Sequence, residues 1–132
     1  MNGKLAIVAA MATILLLAAC ERQEKAATAE KKLLPPAGFV ADAGVGERLF
    51  RAHCARCHGP GAMGSDQGPP LVHSVYRPAH HADLAFYWAV KDGVRQHHWH
   101  FGDMPAIKGL SAEDVANIIA YVRAEQRKNG IR

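Results

Sequence analysis

An all-α domain is the fold class the sequence predicts, on three observations. Segments at about 42–54, 83–93 and 111–128 space their apolar side chains three and four residues apart, as one face of a helix requires. The stretches between them are interrupted by glycine and proline, as at Gly59, Pro60, Gly61, Gly64 and Gly68. No βαβ pattern is present, and the first helix runs straight into Cys54-Ala55-Arg56-Cys57-His58.

That pentapeptide is the strongest chemical signal in the chain. Two cysteines three apart, followed at once by histidine, form the attachment pattern for c-type haem: both thiols add to haem vinyls and the imidazole takes one axial position of the iron. The spacing ties one porphyrin edge through two thioethers and brings the next side chain under the metal. One covalent haem c is therefore the expected cofactor, held by Cys54, Cys57 and His58. Two other chemistries use paired cysteines. A zinc site needs further ligands, and with no cysteine downstream only Cys₂His₂ arrangements survive. A redox dithiol usually accompanies a βαβ pattern.

Composition bounds the rest. The chain has 132 residues, enough for one small domain once the ends are set aside. A domain of about 90 residues buries a modest share of its surface, so an apolar macrocycle would complete its core. The formal net charge of +4, with a pI near 9.2, is too small an excess to argue for nucleic acid. Haem propionates would lower it further. Three cysteines leave one outside the haem motif, Cys20.

Residues 1–19 read as an export signal, with Lys4 followed by an apolar run and then small residues. The run is short for a membrane span of roughly 20 residues. Leu17-Ala18-Ala19-Cys20 resembles a bacterial lipobox, which implies acylation of Cys20 and a mature chain beginning there. Two or more acyl chains suffice for stable anchoring. By the same resemblance Glu21, not being aspartate, gives no inner-membrane retention signal, and the choice of membrane stays open. Residues 20–40 are polar and alanine-rich with Pro35-Pro36, and read as a lipidated cysteine and flexible tether. Twenty such residues reach about 25 Å.

The domain proper spans 41–132. Asp42 is a suitable N-cap for the first helix, and Val45, Leu49 and Ala52 with Gly46, Phe50 and His53 give adjacent apolar rows. Gly46 costs about 1 kcal/mol against alanine inside a helix, which a close helix crossing would explain. Gly46, Phe50 and the Cys54-to-His58 motif together resemble the opening helix of class I mono-haem c-type cytochromes, and the likeness extends to about residue 128. It implies the cytochrome c fold, with N- and C-terminal helices crossing around the covalent haem. Gly68-Pro69-Pro70-Leu71 resembles the family segment whose proline carbonyl accepts a hydrogen bond from the axial imidazole, which points to Pro69, with a register uncertain by one. Such an acceptor orients the ring and raises its basicity. Met63, five residues from His58, is assigned to the surface or to gap filling.

A second helix follows over about 83–93, with Leu84, Tyr87 and Trp88 along it and Gly93 as its stop. Core packing is the expected role for Trp88 and Trp99, with an indole bond to a haem propionate as the family alternative. Met104-Pro105 then lies in an irregular stretch 46 residues after His58. The class I resemblance makes Met104 the sixth ligand; a thioether stabilises ferrous iron and raises the potential. Ahead of it stands His97-His98-Trp99-His100. These imidazoles are read first as solvent-facing, with copper or zinc binding at His97, His98 and His100, joined by His80 and His81, as the sharper alternative. The closing helix starts at Ser111 with Asp114 completing a capping-box pattern, carries Val115, Ile118, Ile119 and Val122, places Arg123, Arg127 and Lys128 toward its C-terminal end, and stops at Asn129-Gly130. By resemblance Ile118 and Tyr121 meet Gly46 and Phe50.

The expected function is one-electron transfer on the periplasmic side of a bacterial membrane, between a donor dehydrogenase and an acceptor oxidase. Iron saturated by His58 and Met104 has no vacant position for substrate, so no enzymatic site is expected. Arg51, Arg56, Arg77, Lys91, Arg95 and Lys108 are candidates for a basic docking rim. Two alternatives remain: a haem sensor or copper-handling module using the histidine-rich loop, and a fixed subunit of a larger complex.

Overall fold

The computed structural model describes Arg22 and residues 33–132, so the expected export signal 1–19, Cys20 and most of the 20–40 tether lie outside the described residues. Leu34–Arg132 pack as one unit. Helix α1, Ala43–His53, begins where the Asp42 carboxylate accepts the Gly44 and Val45 amides at 2.7 and 3.0 Å. Those two N–H groups, Val45 first, hold the Asp42 carboxyl below its usual range. The helix ends where the 42–54 spacing predicts: Cys54 leaves ideal helical geometry at φ −121° while its amide still reaches the Phe50 carbonyl, and a separate turn, α2, Ala55–His58, follows. The break turns the haem motif relative to the α1 axis.

Helix α3 is Asp83–Asp92 and α4 is Ala112–Lys128. Ser111 Oγ accepts the Asp114 amide at 3.1 Å and the Asp114 carboxylate accepts the Ser111 amide at 3.0 Å, a complete capping box. Short 3₁₀ turns occupy Pro60–Ala62 and Ser74–Tyr76. Among the described residues the structure is helical without strands; the nearest approach to a sheet is one antiparallel bridge, Val94 with Met104.

The principal contact is α1 against α4. It is close because Gly46 has no side chain: a Cβ there would stand 1.8 Å from the Asn117 carbonyl oxygen and 3.0 Å from Tyr121 Cβ. Phe50 packs on Tyr121 with ring centroids 5.3 Å apart. Tyr121 thus meets both residues assigned to it, whereas the backbone pressed against Gly46 is that of Asn117, with Ile118 one step along in the same core. Asn117 also accepts the Asp42 amide through Oδ1 at 2.8 Å, locking the start of α1 to the middle of α4. Phe50, Ala62, Val72, Ile118, Tyr121 and Val122 form the apolar centre.

A buried polar network holds the irregular segment before α3. Arg123, expected at the solvated end of α4, is instead buried. Its guanidinium donates to the Tyr76 and His81 carbonyls, to Gln126 Oε1 and to the Asp83 carboxylate. Gln126 in turn donates to the carbonyls of Leu71 and Tyr76 at 2.8 and 3.0 Å. Two side chains of α4 therefore satisfy backbone that has no α-helix or sheet of its own.

Candidate functional site

A cavity of about 420 Å³ opens between the end of α1, the 69–71 segment, α3 and the 93–104 loop. That volume is within the ~300–1,000 Å³ usual for cofactor sites. Phe50, Leu71, Phe86, Val90, Val94 and Ile118 give it a mainly apolar wall. His58, Cys54, Pro69 and Met104 line the same space, while Cys57, the outer cysteine of the motif, is exposed and outside the lining.

His58 is 9 % exposed, and its Nδ1 donates to the Pro69 carbonyl at 2.8 Å. A carbonyl only accepts, so Nδ1 carries the proton and Nε2 keeps its lone pair, the state an iron ligand needs. Burial lowers the His58 pKa and the carbonyl partly opposes that effect, which keeps the ring neutral near pH 7. The loop after the motif folds back on it: the Gly64 amide donates to the His58 carbonyl at 2.7 Å and Ser65 Oγ donates to the Cys57 carbonyl at 2.6 Å. Burial, and secondarily the neighbouring Cys57, push the Cys54 thiol up to about 11. Cys54 is thus a neutral thiol at pH 7.

Met104 is fixed by backbone pairing. Its amide and carbonyl exchange hydrogen bonds with those of Val94, both at 2.9 Å. Gly93, at φ +78°, lets the chain pass: a Cβ there would lie 2.5 Å from the Met104 carbonyl oxygen. Within the loop so closed, Asp103 accepts the Gln96 amide at 2.9 Å and Gln96 accepts the Gly102 amide at 3.0 Å.

Both tryptophans line the cavity, and only Trp88 departs from the core role expected of it, Trp99 being half-buried against His73. Trp88 is 40 % exposed with the Lys91 ammonium 4.7 Å above its ring, and Trp99 donates its indole N–H to the Tyr76 hydroxyl at 3.1 Å. Met63 is exposed, as assigned. Of the six basic rim candidates, Arg51 is paired with Glu47 at 2.9 Å and Arg77 with the Ser74 carbonyl at 3.0 Å, which weakens their claim to a docking role.

The histidines regroup. His80, His81 and His98 bring one ring nitrogen each within 4.8 Å of one another, and His97 packs on His98 with ring centroids 4.2 Å apart. His100, expected beside His97 and His98, is not part of this group. The reason is the turn after Arg77, whose carbonyl accepts both the His80 and the His81 amides and so aims that pair at the 97–98 corner. Partial desolvation, then the neighbouring His97, His81 and His80, lower the His98 pKa.

Sequence reasoning missed Asn117, Arg123 and Gln126. A signal for the last two exists: they stand four residues beyond Ile119 and Val122, on the buried stripe itself.

An apolar cavity with a thiol, a neutral imidazole and a thioether on its wall fits haem, whose edge, iron and macrocycle would each meet the donor or surface it needs. Site and helical framework together define a mono-haem class I c-type cytochrome with covalently bound haem c. A family comparison agrees: the chain belongs to the family described as cytochrome C oxidase, cbb3-type, subunit III, whose model matches residues 41–122. No curated protein and no solved structure gave a match. Membership makes haem-based electron transfer the activity of this domain, redox proteins its partners, and a periplasmic or extracellular setting its usual one. Among the described residues no helix is long and apolar enough to cross a membrane.

Proposed function

We propose that this chain is an exported, lipid-anchored, one-electron carrier in which His58 and Met104 are the axial ligands of a haem attached through Cys54 and Cys57. The observation that carries this reading is the meeting of His58 and Met104 on one apolar cavity, with the His58 tautomer set by Pro69. Haem supplies a reversible ferric–ferrous couple when bound. The residues supply the rest: Pro69 orients the imidazole, the Val94 pairing holds the thioether, and the apolar wall excludes water. An iron with two protein ligands has no open position, which is why the domain carries electrons and performs no substrate chemistry itself.

Residues 1–19 then act as the export signal, Cys20 as the lipid attachment point and 20–40 as the tether of a domain spanning 41–132. Its partners are a donor dehydrogenase and an acceptor oxidase. The family description, which names an oxidase subunit, favours one variation, a permanent place in an oxidase. Co-purification of other subunits after mild detergent extraction would support the fixed subunit, and recovery of the chain alone would support the shuttle.

The ligation test is optical. Oxidised holoprotein should show a sulfur-to-iron charge-transfer band, and reduced holoprotein should leave its spectrum unchanged under carbon monoxide. A missing band with ready carbon monoxide binding would remove Met104 from the iron. Cys20→Ser should release the protein from the membrane fraction; retention there would remove the lipid anchor.

A further inference from the structure

We propose that His80, His81 and His98 form a binding site for one late first-row divalent ion, zinc(II) or copper(II), on the rim of the haem cavity and separate from the haem iron. Three imidazoles from two separate segments converge here, each offering a nitrogen within 4.8 Å of the others. In a tetrahedral zinc site with Zn–N of ~2.0–2.1 Å those nitrogens lie about 3.3 Å apart. The difference is within the rotation of exposed side chains, and His80 and His98 are exposed.

The third member is already oriented. His81 Nδ1 donates to the Val75 carbonyl at 2.8 Å, so the proton sits on Nδ1 and Nε2 is left as a donor atom. Metal-bound histidines commonly make such a bond through the nitrogen away from the metal, because it fixes the tautomer and strengthens the ligand. Pro69 stands in the same relation to His58. Both segments are also braced. Arg123 holds the His81 carbonyl, and Asp103 and Gln96 tie the loop that carries His98. A metal ion would find the backbone in place and would need to order only side chains.

Ligand type selects the ion. Imidazole suits zinc and copper(II), magnesium and calcium require oxygen donors, and the Irving–Williams order places copper(II) above zinc(II). His97 is the nearest candidate for a fourth ligand: its ring packs on His98 and stacks on His81, and its Nδ1 is bonded to the Arg95 carbonyl at 2.9 Å. His81, His97 and His98 also line the haem cavity, so the bound cation would stand beside the cofactor.

The test is calorimetric titration of the full-chain ferric holoprotein with zinc chloride, and separately with copper(II) sulfate. It is run about one unit above the ordinary imidazole pKa of ~6.5 so that the ligands are neutral. One equivalent of each ion should bind, copper more tightly. His98→Gln and His80→Gln should each weaken zinc binding at least ~tenfold, since even the loss of a partner behind a ligand costs that much. His100→Gln should bind as the wild type does. Both test residues are exposed, so the fold survives the changes, and unchanged thermal unfolding without metal checks this. Three results would overturn the site: no saturable binding of either ion, wild-type affinity in both His98→Gln and His80→Gln, or a haem spectrum altered by His98→Gln without metal, which would make that residue an iron ligand instead.

Discussion

Met104 contributes one sulfur atom to a cavity whose other walls are mostly hydrocarbon. Met104→Ala should therefore leave the fold and the covalent haem in place while opening the iron. We expect carbon monoxide to bind the reduced variant and the midpoint potential to fall by at least ~0.1 V within the ~0.8 V range that axial ligation spans; an unchanged potential by redox titration would refute ligation. Asp42 bears on pH. Its native pKa lies below the unfolded value because it accepts the Val45 and Gly44 amides, so its charge contributes stability above about pH 3.8 that is lost as pH falls through the lower native value. Asn can cap without titrating. Melting temperatures of wild type and Asp42→Asn should accordingly converge, with wild type losing its advantage, as the pH falls below about 3.8. Residues of this sort were legible in the sequence because their chemistry is local: an N-cap sits at its helix start, and the two cysteines and histidine of a haem motif are contiguous. For Arg123 only its place on the buried stripe of α4 was legible, because no neighbouring residue names the partners its guanidinium takes. What buries it is bare backbone at Tyr76 and His81, more than 40 residues earlier.

At the scale of elements, the α1–α4 crossing depends on the missing Cβ of Gly46. Gly46→Ala would place a methyl group 1.8 Å from the Asn117 carbonyl oxygen, and since that oxygen belongs to helix backbone it cannot rotate away. We expect destabilisation of about 3 kcal/mol or more, measured by denaturant unfolding, despite the higher helix propensity of alanine. A loss below about 1 kcal/mol would show that the helices separate easily. The three helices and their caps were readable because periodicity and capping chemistry are strong over ten or more residues. The first helix was readable to its end at Cys54, whereas the separate turn Ala55–His58 was not, since four residues carry no helical period of their own. The histidines were readable in part. The sequence named His97, His98 and His100, joined by His80 and His81; the turn at Arg77 brings His80 and His81 to His98, and His100 stays outside the group.

For the molecule as a whole, one small apolar centre and one polar network share the task of holding long irregular segments around the cavity. Arg123→Ala would leave the His81 carbonyl and Gln126 Oε1 without this donor and the exposed Asp83 carboxylate without its ion pair, while the Tyr76 carbonyl keeps Gln126. A loss of ~2–4 kcal/mol is expected, concentrated in faster hydrogen exchange across 71–83, because buried acceptors left unpaired cost more than the bond itself contributes. Uniform exchange across the domain would show that the network is not a separate unit. The reciprocal bonds between Val94 and Met104 have a different implication, for how such a protein can change over generations. They close the loop at its neck, so the Met104 backbone is held independently of the length of the segment between the two residues. Doubling a loop adds only ~0.6 kcal/mol of closure entropy. Inserting glycine and serine between His98 and Trp99 should therefore leave the optical spectrum of the oxidised holoprotein unchanged. The neck lets the loop vary in length, a place where a new appendage can be tried beside the cofactor while His97, His98, Trp99 and Phe101 stay in the cavity wall.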